Sequence, residues 1–188
     1  MIFNDNDRNK NLRAQILKYH MSAVLTDDER AQLFGLPNGC RLRENAKIIT
    51  PENFECGEYV WIGEGAILDS SGGLKIGAHT SIGLNVMIWS HTSHLANLAL
   101  NNIIGSPLIE RKPTRIGSGC FIAGPSVINA GVTIGDKVLV LPMSVVTKDI
   151  PNNNMVAGAP AVFIRKIEES YIKEEVKRVI KANKNLNK

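Results

Sequence analysis

Aliphatic residues recur at every sixth position through the second half of the chain, and this period constrains the fold more than any other feature. The residues are Ile116, Ile122, Ile128, Ile134, Val140 and Val146. The period matches neither an α-helix, which repeats about every 3.6 residues, nor an extended strand, which repeats about every 2 residues. It is typical of a solenoid in which short strands, joined by tight turns, stack coil upon coil.

The position four residues after each aliphatic is also small or aliphatic, which predicts a second inward position in each hexad. These residues are Cys120, Ser126, Val132, Val138, Ser144 and Ile150. The period also appears upstream, in two runs that a two-residue insertion near 70–73 offsets from one another. The first run consists of Cys56, Ile62 and Leu68, and the second of Ile76, Ile82 and Ile88.

Composition limits the class of protein. The chain has 188 residues, of which 44% are hydrophobic and 21% charged, as in an ordinary globular domain. No apolar run approaches the ~18 residues of a membrane span. Residues 1–11 lack the apolar stretch of a secretory signal, so we expect a cytoplasmic protein. A net charge of +4 with 5% aromatic residues argues against nucleic acid and suits an anionic ligand.

The three cysteines, Cys40, Cys56 and Cys120, are far apart and odd in number. They form neither a disulfide framework nor the closely spaced pair of a zinc site. We expect them to be buried free thiols.

Amphipathic patterns predict helices at both ends of the chain. Residues 8–35 carry a capping-box signal at Thr26 and Glu29 and a stop at Gly35. Residues 167–183 have a continuous apolar stripe. We therefore divide the chain into an N-terminal helical segment (1–45), a solenoid domain (46–166, with a loop at 90–115) and a C-terminal helix (167–188).

The six-residue period disappears between Ile88 and Ile116, and long insertions in a compact repeat are usually functional. His91 and His94 follow the point at which the chain leaves the solenoid. Imidazole titrates near neutral pH and can act as a general base, but a histidine in a polar loop can also be a solvated surface residue. A zinc site is a further reading, yet the spacing of these two histidines and His79 does not match a three-histidine site.

Residues 116–167 closely resemble the hexapeptide-repeat acyltransferases, and a weaker resemblance extends back to about residue 20. The segments SVVTKDIP (144–151) and AGAPAVFIRK (157–166) match most closely. The similarity is greatest to the group of maltose and galactoside acetyltransferases and of O-acetyltransferases for capsule and O-antigen. The resemblance implies a left-handed parallel β-helix of triangular cross-section, an all-β fold, which assembles as a homotrimer.

The resemblance also implies direct acetyl transfer from acetyl-CoA to a sugar hydroxyl, with His91 as the catalytic base and no metal. It places Asp69 among the acceptor-binding residues, although an aspartate there can equally cap a corner turn. Asn85, Trp89 and His94 are the other candidates for acceptor contacts.

The same resemblance implies that acetyl-CoA lies in a groove between subunits. The cofactor-binding positions are Gly124, Pro142, Thr147, Lys148 and Arg165. Two of them, Lys148 and Arg165, can give charge-assisted bonds to phosphate, although each can also be a solvated surface cation. The chain departs from the family pattern at Pro142, which has no N–H to donate, and at Phe121 and Val162.

Three functions remain open at this point. The first is acetyl-CoA-dependent O-acetylation of a sugar or glycan hydroxyl. The second is N-acetylation of an amino sugar, free or nucleotide-linked, which would use the same base and groove. The third is a noncatalytic trimeric scaffold, against which the intact 144–166 motif and the position of His91 argue.

Overall fold

The computed structural model describes residues 6–101 and 103–186. Residues 1–5, within the segment where we expect no secretory signal, and residues 187–188 lie outside the described part. The fold is a parallel β-helix, as predicted, with helices at both ends. No helix of the described part is both long and apolar enough to cross a membrane.

Short strands, numbered along the chain, form the three faces of the coil. Face 1 contains β1 (Arg41–Leu42), β4 (Trp61–Ile62), β7 (Ser81–Ile82), β12 (Phe121–Ile122), β15 (Leu139–Val140), β17 (Asn154–Ala157) and β18 (Val162–Lys166). Face 2 contains β2 (Lys47–Ile49), β5 (Ile67–Asp69), β8 (Met87–Ile88), β13 (Val127–Ile128) and β16 (Val145–Val146). Face 3 contains β3 (Phe54–Cys56), β6 (Leu74–Ile76), β11 (Thr114–Ile116) and β14 (Thr133–Ile134). Neighbouring strands pair in parallel except β18, which pairs antiparallel with β17.

The core is the column of aliphatic residues that the period predicts. All six positions from Ile116 to Val146 are at most 3% exposed, and the second inward series is at most 7% exposed. Burial of one such side chain contributes about 1.5–3 kcal/mol relative to exposure. The repeat therefore supplies most of the apolar area that the fold removes from water.

The solenoid begins earlier than predicted. β1 already pairs with β4, and Leu42 is fully buried, so part of the segment 1–45 belongs to the coil. The period did not reveal this first coil, because Ile48 and Cys56 are eight residues apart instead of six. The extra residues form a short 3₁₀ turn at Pro51–Asn53.

The predicted N-terminal helical region is two helices, α1 (Asp7–Ser22) and α2 (Asp27–Leu33). The capping box is confirmed, since the Thr26 and Glu29 side chains and backbones bond reciprocally at the start of α2. Buried Arg30 donates to the carbonyl of Leu42, which fastens α2 to the first coil. The C-terminal helix, α4, spans Glu169–Leu186, close to the predicted range. Short α3 (His94–Leu98) lies in the loop.

All three cysteines are free. Cys40 and Cys120 are buried, as predicted, whereas Cys56 is only half-buried. Burial, with a smaller contribution from neighbouring Cys40, raises the pKa of the Cys56 thiol to about 12. Because the thiolate is the reactive form, Cys56 is a poor nucleophile at neutral pH.

Truncation of Ile122 tests the core. Ile122→Ala removes a fully buried side chain, so we expect a loss of about 2–5 kcal/mol in the free energy of unfolding, measured by urea denaturation. Thr133→Ala is the control, because Thr133 is the exposed, outward residue of β14. Equal losses for the two variants would contradict the assignment of inward and outward positions.

Candidate active site

The coil departs from its regular period at one corner, between face 2 and face 3. The inward positions on either side of this corner are eight residues apart at Ile48–Cys56 and again at Leu68–Ile76. In the next coil they are Ile88 and Ile116, with the long loop between them. Parallel pairing of β2, β5 and β8 stacks these three departures directly on one another. The loop therefore leaves from a corner that is already enlarged in the two coils below.

The loop is more regular than an unstructured insertion. β9 (His91–Thr92) pairs antiparallel with β10 (Glu110–Arg111), so the outgoing and returning segments form a two-stranded ribbon. At its base, the Lys112 N–H donates to the Ser90 carbonyl. The buried Thr114 hydroxyl donates to the Trp89 carbonyl at 2.6 Å. These bonds hold His91 against the coil.

His91 is paired with Asp69 of the coil below. The ring Nδ1 lies 2.6 Å from Asp69 Oδ2. The same carboxylate accepts the backbone N–H groups of Ser90 at 2.9 Å and Ser71 at 3.1 Å. A carboxylate acceptor selects the tautomer with the proton on Nδ1, which leaves Nε2 as the basic nitrogen of the ring.

Asp69 is an ionised acceptor inside the corner. Its complete burial would raise the pKa of the carboxyl group, but the hydrogen bonds from Ser90, Ser71 and His91 outweigh this effect. The net result is a pKa below the ordinary value for aspartate. The Asp69 side chain has 0% exposure and contacts His91 Nδ1, so its observed partner is the imidazole ring, and the acceptor contact stays a prediction.

A pocket of about 460 Å³ opens beside His91. Its lining comprises Trp89, His91, Thr92, Ser93, Lys112, Asn129 and Ala130. The Trp89 ring meets the imidazole edge-on, with 6.4 Å between ring centroids. Hydroxyl, amide and ammonium groups in this lining suit a polar ligand, and an aromatic face suits a sugar ring.

Sequence reasoning placed Trp89 and His91 here but missed Lys112 and Asn129. The position of Asn129 was predictable from the six-residue period. Ile88 and Ile128 are equivalent inward positions, so the next residues, Trp89 and Asn129, lie one above the other in successive coils. Lys112 belongs to the returning end of the loop, where no period applies. Its ammonium group pairs with Glu110 at 2.8 Å.

The other predicted acceptor residues lie outside this pocket. Asn85 is exposed with φ of +55° at the opposite edge of face 2, and about 13 Å of extended chain separates it from Trp89. His94 is exposed on the first turn of α3, and its Nδ1 lies 3.0 Å from the Thr92 hydroxyl. The structure therefore groups His91 with Trp89 and separates it from Asn85.

The predicted cofactor residues fall on both edges of face 2. Thr147 and Lys148 are exposed above Asn129, in line with the pocket, because β13 and β16 pair in register. Gly124 and Pro142 lie at the opposite edge. The fold itself requires glycine at position 124, because a Cβ there would lie 1.7 Å from the Leu84 carbonyl oxygen.

Arg165 lies on β18, with its guanidinium 4.0 Å from the centre of the Tyr171 ring. This stacking holds the cation at the end of the coil, next to the start of α4. In residues 6–101 and 103–186, no group of three or more His, Cys, Asp or Glu side chains is arranged to hold a metal ion.

Comparison with known proteins identifies the family, although no family model matches the chain. The chain is 33% identical over 141 residues to WcaF of Escherichia coli (strain K12), named for an acetyltransferase role in colanic acid biosynthesis, and the match covers 74% of each chain. The chain belongs to the hexapeptide-repeat acetyltransferases. The resemblance seen in residues 116–167 is thus confirmed at the level of the family.

Two further relatives agree. The galactoside O-acetyltransferase of the same Escherichia coli strain is 34% identical over 135 residues, which cover 67% of this chain and 63% of that one. A solved structure of a galactoside acetyltransferase in complex with coenzyme A is similar with a TM-score of 0.56 and 26% identity, covering 90% of this chain and 86% of that one.

Replacement of Asp69 by Asn tests the buried pair through stability. Because the pKa of Asp69 in the folded protein is below its ordinary value, ionisation stabilises the fold at neutral pH, and this stabilisation is lost as the pH falls through the folded-state pKa. We expect Asp69→Asn to lower the free energy of unfolding by about 1–3 kcal/mol at pH 7. The deficit should shrink below about pH 4.

Urea unfolding across this pH range measures the difference. Glu55→Gln is the control, because Glu55 forms only an exposed pair with Lys75 and should change stability by less than about 1 kcal/mol at any pH. A deficit for Asp69→Asn that is the same at pH 7 and pH 3 would contradict the assigned ionisation.

Proposed function

We propose that the protein is an acetyl-CoA-dependent O-acetyltransferase that acetylates a hydroxyl of a sugar or glycan, with His91 as general base. The observation that carries this proposal is the His91–Asp69 pair at the wall of a polar pocket of about 460 Å³. The family membership supplies acetyl transfer as the reaction class.

In the proposed reaction, His91 Nε2 takes the proton of the acceptor hydroxyl as the oxygen attacks the thioester carbonyl. Asp69 holds the Nδ1 proton and stabilises the positive charge that develops on the ring. As the C–S bond breaks, the same ring returns the proton to the departing thiolate. No covalent acyl-enzyme is required, and the raised pKa of the half-buried Cys56 thiol makes it unsuited to that role.

The proposed position of acetyl-CoA runs along face 2. Thr147 and Lys148 continue the line from His91 and Asn129, and Lys148 presents an exposed ammonium group to a phosphate. Gly124 and Pro142 lie at the far edge of the same face. Two edges of one face can both contact acetyl-CoA when the groove is formed between two copies of the chain, which supports the proposed homotrimer.

Exposed apolar residues on the outer surface also support assembly. Leu84, Phe121, Met143 and Phe163 are each between 47% and 70% exposed. Phe121 and Phe163 belong to face 1, and Leu84 and Met143 lie at its corner with face 2. Exposed apolar side chains that share one side of a molecule are typical of a protein–protein interface.

The relatives support a hydroxyl acceptor over an amine. A galactoside O-acetyltransferase at 34% identity favours a hydroxyl acceptor for this chain. The N-acyltransferase AntD of Bacillus cereus shares only the fold at 15% identity, with a TM-score of 0.63. A panel of sugars with hydroxyl or amino groups at the reactive position separates the two chemistries, and reaction of the amines alone would overturn O-acetylation.

Replacement of His91 tests the proposed base. We expect His91→Ala to lower kcat for sugar-dependent thiol release from acetyl-CoA by about 10²–10⁴-fold, because general-base assistance is lost. His79→Ala is the control, since His79 stacks on Tyr59 at another corner and should retain full activity. Activity of His91→Ala equal to wild type, or loss of activity in His94→Ala alone, would remove His91 from the mechanism.

Replacement of Lys148 tests the cofactor groove. We expect Lys148→Ala to raise KM for acetyl-CoA by about 3- to 20-fold with little change in kcat, because one charge-assisted bond to phosphate is lost. Lys177→Ala removes the same charge from exposed α4 and serves as the control. Initial rates at varied acetyl-CoA measure both variants, and an equal change in the two would place the cofactor elsewhere.

A further inference from the structure

The insertion Ser70–Gly73 lies directly below the point where the loop leaves the coil. β5 and β8 pair with Leu68 opposite Ile88, so the residues that follow Asp69 meet the residues that follow Trp89. The Gly72 N–H donates to the Ser90 hydroxyl at 2.8 Å. A Cβ at Gly72 would lie 1.9 Å from the Ser90 carbonyl oxygen, so only glycine permits this approach.

The insertion brings Ser71 to the catalytic ring. Its hydroxyl oxygen is 2.9 Å from His91 Nδ1, while its backbone N–H donates to Asp69 Oδ1 at 3.1 Å. His91 Nδ1 therefore faces two oxygen atoms, one from Asp69 and one from Ser71.

We propose that Ser71 is a positioning residue for His91, which fixes the plane of the imidazole ring as a second acceptor of the Nδ1 proton. This inference rests on the proposed role of His91 as the general base. Ser71 contacts neither substrate in this proposal and acts through the ring and through Asp69, the carboxylate partner of the ring.

The contact with Asp69 alone does not fix the plane of the His91 ring, so the contact with Ser71 is needed to hold it. A ring held only by Asp69 can pivot about the line between Nδ1 and Oδ2. The His91 side chain is still 31% exposed, so packing alone does not clamp it. A second oxygen at 2.9 Å removes this freedom and keeps Nε2 directed along one line.

The second oxygen also contributes when the ring becomes charged. As Nε2 takes the acceptor proton, the Nδ1–H group becomes a cationic donor, and both oxygens accept from it. The contribution of Ser71 is therefore greater in the transition state than in the resting enzyme. Its loss should lower kcat and leave KM for both substrates almost unchanged.

Ser70 provides a matched control, since it is the adjacent serine in the same insertion. It is fully buried, and its hydroxyl bonds to the carbonyls of Ile49 at 2.6 Å and Thr50 at 2.8 Å in the coil below. Ser70→Ala should therefore lower stability, whereas Ser71→Ala should lower turnover. The two substitutions remove the same atom from neighbouring positions.

Steady-state kinetics with acetyl-CoA and an accepted sugar, combined with urea unfolding, test the proposal. We expect Ser71→Ala to reduce kcat about tenfold, with KM within about twofold of wild type. Ser71→Thr keeps the hydroxyl group and should recover at least about half of the wild-type kcat, whereas Ser70→Ala should unfold at lower urea concentration with kcat within about twofold. Wild-type kcat in Ser71→Ala, or equal loss of kcat in both alanine variants, would overturn the role of Ser71.

A measurement without turnover separates this inference from the proposed function. NMR of ¹⁵N-labelled protein reports the Nδ1-bound proton of His91, assigned by its absence in His91→Ala. Exchange of this proton with water should be about tenfold faster in Ser71→Ala, because one of its two acceptors is lost. Unchanged exchange would overturn the Ser71 contact, whereas full activity of His91→Ala with faster exchange would overturn only the proposed base.

Discussion

The register between successive coils is the constraint on which the rest of this structure depends. Strands of neighbouring coils must lie about 4.8 Å apart and exchange backbone hydrogen bonds along every face. Any residue beyond the regular hexads must leave the coil at a corner, because a face has no room for it. In this chain the extra residues of three successive coils leave at the same corner, and the candidate catalytic pair lies there.

Four buried polar residues lie together at this corner of a mainly aliphatic interior. Asp69, Ser70, Ser90 and Thr114 all have 0% exposure, and each makes hydrogen bonds to a neighbouring coil. A buried polar group without partners would cost about 1–3 kcal/mol, so a network of this kind persists only when every member is satisfied. The corner thus buries less apolar area than the rest of the coil, and its hydrogen-bond network supports His91.

The sequence predicted the core well because one physical rule generates it. A buried position every six residues is visible without knowledge of how the coils stack, and every residue from Ile116 to Val146 in that series is buried. The first coil was not predicted, because extra residues at its corner, between Ile48 and Cys56, shift the phase of the repeat.

The role of Asp69 was harder to predict, because it depends on stacking between coils. Once Leu68 and Ile88 are recognised as vertical neighbours, Asp69 must lie near the residues that leave the coil after Ile88. The direction of its side chain toward His91, rather than toward an acceptor, arises from the backbone N–H groups that surround it. The six-residue period could not predict the position of Lys112, because this residue follows the β9–β10 ribbon of the loop, where the period does not apply.

That ribbon makes the loop a separable module. Thr92 and Glu110 lie opposite one another in the antiparallel ribbon, which holds the ends of the intervening segment together. Lengthening a segment whose ends are already closed costs only about 0.6 kcal/mol for each doubling. Evolution, or an engineer grafting a foreign segment between these two residues, can therefore diversify the loop side of the pocket while the imidazole and its carboxylate stay on an unchanged scaffold.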